Sequence, residues 1–570
     1  MRVGLGLLAS LCATIAVGEE LLVMQGEPGR FGGRLVVTQR SEPKTFNPVL
    51  AQDNASRNII RRMTADLVHI NRETHRTEPS LAKAWEVSDD GRQYTLYLRR
   101  GIRFSDGHEI EAEDVLFSFE VYLDEQLHSP QRDLLIVGGE PIRVRRVGSH
   151  TIVFELAESY GAAERIFDSL AILPRHVLEE PYRAGKFADM WSLASAPEEI
   201  VGLGPFRLKQ YVPGERVVLE RNPYYWKTDA RGRRLPYLNE IVFLTVPSED
   251  AQVMRFLSGQ SHLISRMSAD NYAVLEAGQT RGGYQMRDLG PGLEYNFLFF
   301  NLNDRDETEF PRLAKKQSWF RDVSFRRAVS TAIDRGGIVR LVYENRATPL
   351  FSHVTPGNKL WVNDESIRRD EYAPSKAREI LRKAGFAWNQ DGALQDSTGQ
   401  QVEFTIITTA GNRQRTKMAA IVQEDLGKVG MQVQVVTLEF RALIDRVFQS
   451  RDYEACVLAL GSGDVDPTSE MSVWLSTGAS HLWRLGQQEP ASAWEAEIDR
   501  QMRRQMISTD PSQRKEAYDR VQEIVSEKLP IICLASPNIL VGADRRLGNF
   551  RPAILAHYTL WNVEQLFFRR

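Results

Sequence analysis

The segment Leu289-Gly290-Pro291-Gly292 breaks the chain between two extended runs, and the run after it, Leu293–Leu302, is strand-forming and largely apolar. A strand with one wet face alternates apolar and polar residues. A run without that alternation suits a strand covered on both faces. Helical spacing supplies the cover. An amphipathic pattern runs from Asp322 to about Leu341, and others span Pro374–Ala384, Arg413–Val429 and Pro511–Lys528, with a strand at Ala455–Leu460. This alternation predicts an α/β domain with a largely parallel sheet in the second half of the chain. No periodic repeat or low-complexity tract interrupts it.

The first half is richer in strands. Arg34–Thr38 reads as a strand, a polar loop runs from Glu42 to Pro48, and a helix spans Ala55 to Leu67 with Ile59, Ile60, Met63 and Leu67 on one face. Asp89-Asp90-Gly91 joins two strands as a hairpin, the second carrying Tyr94, Leu96 and Leu98 in alternation. A helix begins near Ala112 with Glu113 and Asp114 in its first turn, where the helix dipole favours them. Arg143–Leu156 is strand-like. Phe206–Tyr211 and Arg216–Arg221 form a pair joined by Pro213-Gly214-Glu215.

Bulk numbers narrow the function. At roughly 150 residues per domain, 570 residues make three or four domains. Lys+Arg total 72 and Asp+Glu 75, a net charge of −3, and the basic group Arg143–Arg146 alternates with apolar residues, so no nucleic-acid partner is expected. The three cysteines, Cys12, Cys456 and Cys533, form no CxxC. No HExxH, GxSxG or Walker A motif occurs, nor a GxGxxG in strand–helix context. Neither an enzyme, a metal site nor a cofactor is expected. Arg2, the apolar run Val3–Val17 and small residues at Ala16 and Gly18 read as a secretory leader cleaved after Gly18. Leu11, ahead of Cys12, is too large for lipid attachment, and no later run could span a membrane, so an exported, periplasmic protein without a lipid anchor is expected.

A series of short motifs carries more. Leu81, Ala82, Trp85 and Asp90-Gly91 lead into Tyr94, Leu96, Leu98, Gly101, Phe104, Asp106-Gly107 and Ala112–Val115. Gly204-Pro205-Phe206, Pro213-Gly214-Glu215, Leu219–Pro223 and Tyr225-Trp226 follow, then Asp322-Val323, Arg326, Ala332–Arg335, Leu381 and Ala384-Gly385-Phe386. In this order, over about 34–530, the chain resembles the family 5 solute-binding proteins of ABC importers, the dipeptide-, oligopeptide- and nickel-binding group. The resemblance implies a periplasmic-binding-protein-like fold (type II, cluster C) of two α/β lobes about a hinge, with an extra inserted domain. The expected divisions are 19–48, 171–288 and 531–570 for the first lobe, 49–170 for the insertion and 289–530 for the second lobe. The expected partners are a small solute and the permease of an importer with its ATPases. Short peptide leads as solute, an oligosaccharide is second and a nickel chelate third; a stand-alone chemosensor or chaperone of the same fold is the alternative role. Gly290 and Gly292 sit where a hinge would enter the second lobe.

Candidate ligand contacts follow from the same mapping. The loop Leu460–Thr468 should end a strand at the cleft. Peptide-binding relatives place an amine-pairing Asp four residues before Pro467; Gly463 stands there, with Asp464 next to it. Asp464 either replaces that anchor or caps a turn. Asn412 and Arg413 open a helix in the second lobe, and Arg413 could receive a carboxylate bidentately. Glu294, Tyr295 and Asn296 follow the hinge, Phe46 and Asn47 lie on a first-lobe loop, and Trp474, His481 and Trp483 could stack on a sugar ring or a peptide side chain, with buried core the favoured role.

Overall fold

The computed structural model describes residues 19–168, 170–304 and 307–570; the expected leader lies outside them. A sheet of twelve strands runs through both lobes. Its first half contains Phe206–Val212, Arg216–Arg221, Glu240–Thr245, Arg34–Gln39 and Leu263–Ser265, and its second Glu294–Phe300, Ala455–Gly461, Glu403–Thr409 and Gln432–Leu438. One long strand, Ile531–Asp544, belongs to both. Its start pairs with Leu298 and Phe299 in the second lobe, and its end with Leu263–Ser265 and Tyr284–Asp288 in the first. The expected limit at 530/531 therefore falls ahead of the half of this strand that serves the second lobe.

The two lobes are joined at neighbouring crossings near 289–293 and 535–538. Gly292 N donates to Pro537 O at 3.2 Å, so the crossings lie side by side. Gly290 holds φ +78°, a left-handed conformation that glycine adopts at no steric cost. The Glu294–Phe300 strand is buried along six of its seven residues, as its apolar run predicts. Phe300 stacks on Phe320 at 4.8 Å and meets Phe325 and Phe404 edge-on. Emptying such a site costs about 3–5 kcal/mol, so this strand anchors the second lobe's core. The insertion carries a four-stranded sheet, Ala82–Val87, Gln93–Leu98, Thr151–Glu155 and Arg143–Gly148 in that order. Its Leu96, Phe119 and Phe154 join the same core as Leu35 and Ile241 of the first lobe, so the two pack as one mass.

Several local expectations change. The 322–341 pattern is two helices, Val323–Ala332 and Arg335–Tyr343, because Ile333 turns extended and Asp334 caps the second helix through Gly337 N. Arg143–Leu156 is two strands with a turn between them. The second-lobe sheet is mixed: Glu403–Thr409 pairs in parallel with both its neighbours, but Glu294–Phe300 runs antiparallel to Ala455–Gly461 and to the shared strand. Strands that pass directly from lobe to lobe need no crossover helix, and that frees them to pair antiparallel. Among the described residues, no helix is long and apolar enough to cross a membrane.

Candidate functional site

Where the insertion packs on the first lobe, a helix ends early. The expected 55–67 helix spans Asn54–Met63, capped by Asp53, and the chain turns extended at Thr64. Gly202 and Gly204 press against its last turn. A Cβ on Gly202 would stand 2.0 Å from Met63 O and one on Gly204 2.4 Å from Met63 C, so a side chain has no room at either position. Arg61 and Arg62 occupy that last turn, where the dipole favours cations. With Thr64–Asp66 they rim a cavity of about 70 Å³, completed by His69, Arg72, Pro205, Tyr225–Lys227, His557, Trp561 and Glu564.

Most charge around this cavity is paired. Asp168 accepts from Ile70 N at 2.7 Å and Arg72 Nη2 at 2.8 Å, with Arg61 Nη1 3.5 Å away. Burial opposes its ionisation, but Arg72 and Arg61 outweigh it and hold the carboxyl well below the usual range. Lys227 Nζ meets Glu564 Oε1 at 3.2 Å. Burial pushes Asp66 up to about 8 and His69 down to about 3, so at neutral pH His69 is uncharged; its ring stacks on Trp561. Arg62 is the exception. It is 4% exposed, and its Nε and Nη2 have no hydrogen-bond partner. Burial, reinforced by Arg61, pulls it down to about 9, which still leaves it charged.

On the second-lobe side, the loop after Ala455–Gly461 presents two carboxylates, and both are taken. Asp464 accepts a bidentate ion pair from Arg165 of the insertion, whose Nη1 also donates to His75 O at 3.0 Å. Asp466 accepts from Arg514 Nη2 at 2.8 Å and caps the turn at Pro467–Glu470 through Thr468 N. A second cavity, of about 20 Å³, lies behind them between Leu293, His353, Ser462, Asp466, Glu470 and Tyr518. Burial pushes Glu470 up to about 7, against hydrogen bonds from Trp474 and Tyr518. Further bridges tie the lobes together. Gly161 N donates to Met506 O at 2.7 Å, Arg266 pairs with Glu294 at 2.9 Å, and Arg346 of the second lobe pairs with Asp288 at 3.1 Å and with Glu276.

The other expected contacts are dispersed. Phe46 is in the first-lobe core, edge-on to Tyr211, and Asn47 beside it spends its amide on Phe187 O, Met190 O and Val49 N. Tyr295 and Asn296 are 1% exposed; Asn296 donates to Ala535 O and Tyr343 Oη, which ties the strand to its neighbours. Asn412 caps its helix through Arg415 N, and Arg413 is exposed on the first turn. Gly463 is exposed beside open space. Trp474, His481 and Trp483 form a sealed core group: His481 bonds Val473 O and Glu495, and Trp474 packs on His353 at 4.0 Å. Of the expected set, the structure leaves Glu294, Gly463 and Asp464 at the lobe junction.

Sequence reasoning passed over Arg61, Arg62, Arg72, Arg165, Asp168 and the 557–564 segment. One signal was available. Arg62 lies three residues after Ile59 and one before Met63, so a charge stands in the middle of the apolar stripe.

Comparison with known proteins bears on this geometry. Residues 76–481 match the model of the bacterial extracellular solute-binding proteins, family 5. A probable ABC transporter-binding protein of Deinococcus radiodurans is 28% identical, over 92% of this chain and 90% of its own. The oligopeptide-binding protein AppA of Bacillus subtilis is 25% identical over the same shares. The structure of that AppA in complex with a nonapeptide superposes with a TM-score of 0.71, at 24% identity, covering 95% of this chain and all of the other.

Proposed function

The chain belongs to the bacterial extracellular solute-binding proteins of family 5, and we propose that it captures a short peptide between its lobes and delivers it to the permease of an ABC importer. On this reading the protein is exported after cleavage near Gly18 and performs no catalysis. The observation that carries it is the two-crossing hinge, with the lobes bridged on the far side by the Arg165–Asp464 pair. Two bodies joined at adjacent crossings can open by rotation about them, with the Arg165–Asp464 pair and the Gly161–Met506 hydrogen bond among the few polar contacts that opening breaks. Peptide is favoured among the solutes by the full-length likeness to a protein named for oligopeptide binding.

Mass spectrometry of the ligand released from protein purified from its native host tests the reading. It should find peptides of a few residues, at about one per chain. A sugar or a metal chelate in their place would overturn the peptide assignment.

A further inference from the structure

We infer that the cavity at the end of the Asn54–Met63 helix is an oxyanion site anchored by Arg62; the proposed capture of a peptide is used only to name the source of the anion, a carboxylate of the ligand. Each other cation at the cavity has a carboxylate: Arg61 and Arg72 share Asp168, and Lys227 has Glu564. Among the described residues no carboxylate lies within ion-pair distance of Arg62. The helix's own carbonyls do not serve it either. Ile60 O accepts from Thr64 N and Thr64 Oγ1, and Met63 O from Gly204 N.

An arginine has no other remedy. A buried carboxylate can take up a proton and a buried histidine can lose one, but a guanidinium stays charged at neutral pH and must be met by acceptors, either carbonyls, as at the buried Arg326 and Arg335, or an anion. The two unpartnered nitrogens, Nε and Nη2, form one edge of the guanidinium plane, and that edge presents two parallel N–H groups at the spacing of two carboxylate oxygens. A space of about 70 Å³ exceeds what one water needs, about 10–15 Å³. It accommodates a carboxylate group with Arg61 and Arg72 alongside. The indole of Trp561 and the ring of Pro205 wall the cavity on its apolar side.

The test uses mature protein stripped of ligand by unfolding and refolding, so it does not depend on what the native solute is. Thermal unfolding is followed in sodium acetate against sodium chloride at equal ionic strength, with inorganic phosphate as a separate arm. Wild type should show a saturable rise in Tm of about 2 °C with acetate at about a hundredfold over its Kd. Arg62→Met should lose the rise, and Arg62→Lys, which keeps the charge without the fork, should keep only part of it. No rise in wild type, or an equal rise in Arg62→Met, would overturn the site. A response to phosphate alone would overturn the carboxylate assignment. A sugar among the native ligands would defeat the peptide reading and leave this result standing.

Discussion

The two cavities handle buried charge in opposite ways. In the second lobe, Asp464 and Asp466 are each matched by an arginine, and the carboxylate left over, Glu470, is raised to about 7 and can shed its charge by taking a proton. Between the insertion and the first lobe the group left over is Arg62, which cannot shed its charge. A closed ledger of ion pairs holds a structure together. An open one on a group that must stay charged marks where a ligand completes it. By that criterion the ligand's anionic group belongs to the cavity between the insertion and the first lobe, and the Asp464 loop belongs to the contact between the insertion and the second lobe.

The comparison breaks most readily at Asp168, which holds the paired side of the first cavity together. Asp168→Asn should cost about 3–5 kcal/mol, since it strips the shared partner from Arg61 and Arg72. Its carboxyl is depressed in the folded state, so its contribution is present above the usual carboxylate pKa and is lost as pH falls through the lower, folded value. Denaturant unfolding at pH 7 measures this; a loss under about 1 kcal/mol would mean that the arginines do not depend on it.

Glu470→Gln sharpens the other side. Glu470 has its folded pKa raised, so the stability it contributes is full below about 4.5 and lost as pH climbs through 7. Between about pH 5 and 8 wild type should lose up to about 3 kcal/mol relative to the glutamine variant. Parallel pH profiles for the two proteins would show that Glu470 is not strained by its burial.

A smaller effect separates bridge from anchor at Asp464. If it pairs only with Arg165, then Asp464→Asn, Arg165→Met and the double variant should show a coupling of about 0.5–3 kcal/mol in stability. Ligand affinity should then respond alike to either single change. Loss of binding in Asp464→Asn with none in Arg165→Met would instead make Asp464 the amine anchor. The smallest effect is expected at Arg413, exposed on its helix: Arg413→Ala should alter stability by no more than about 0.5 kcal/mol. A tenfold loss of affinity there would place the ligand's anion in the second lobe and contradict the comparison.

The regular elements were largely legible in the sequence, because their signals are local. Asp90-Gly91 and Pro213-Gly214 turn where expected, with φ of +68° at Gly91 and +70° at Gly214, and the helix Pro511–Lys528 has the expected ends. The break at Asp334 was hidden because the apolar spacing continues through it; only the cap on Gly337 N shows that a new helix starts. The shared strand Ile531–Asp544 changes lobes halfway along, and nothing local marks that change. The cavity was least legible. Its walls come from 61–72, 205, 225–227 and 557–564, segments that meet only in the folded chain. The Trp474, His481 and Trp483 group, for which core was the favoured role, is buried, but the choice was narrow for a related reason: aromatic residues near polar ones look alike in sequence whether they face a ligand or close a core.

In the proposed receptor the two lobes rotate about the crossings at Gly290–Gly292 and Pro537 to close on a solute. Small-angle X-ray scattering of the mature protein, stripped and then saturated with the ligand released from the native protein, tests this most directly. The radius of gyration should fall on saturation, and the fall should be blunted when proline replaces both Gly290 and Gly292. Superimposable profiles with and without saturating ligand would contradict a hinged receptor.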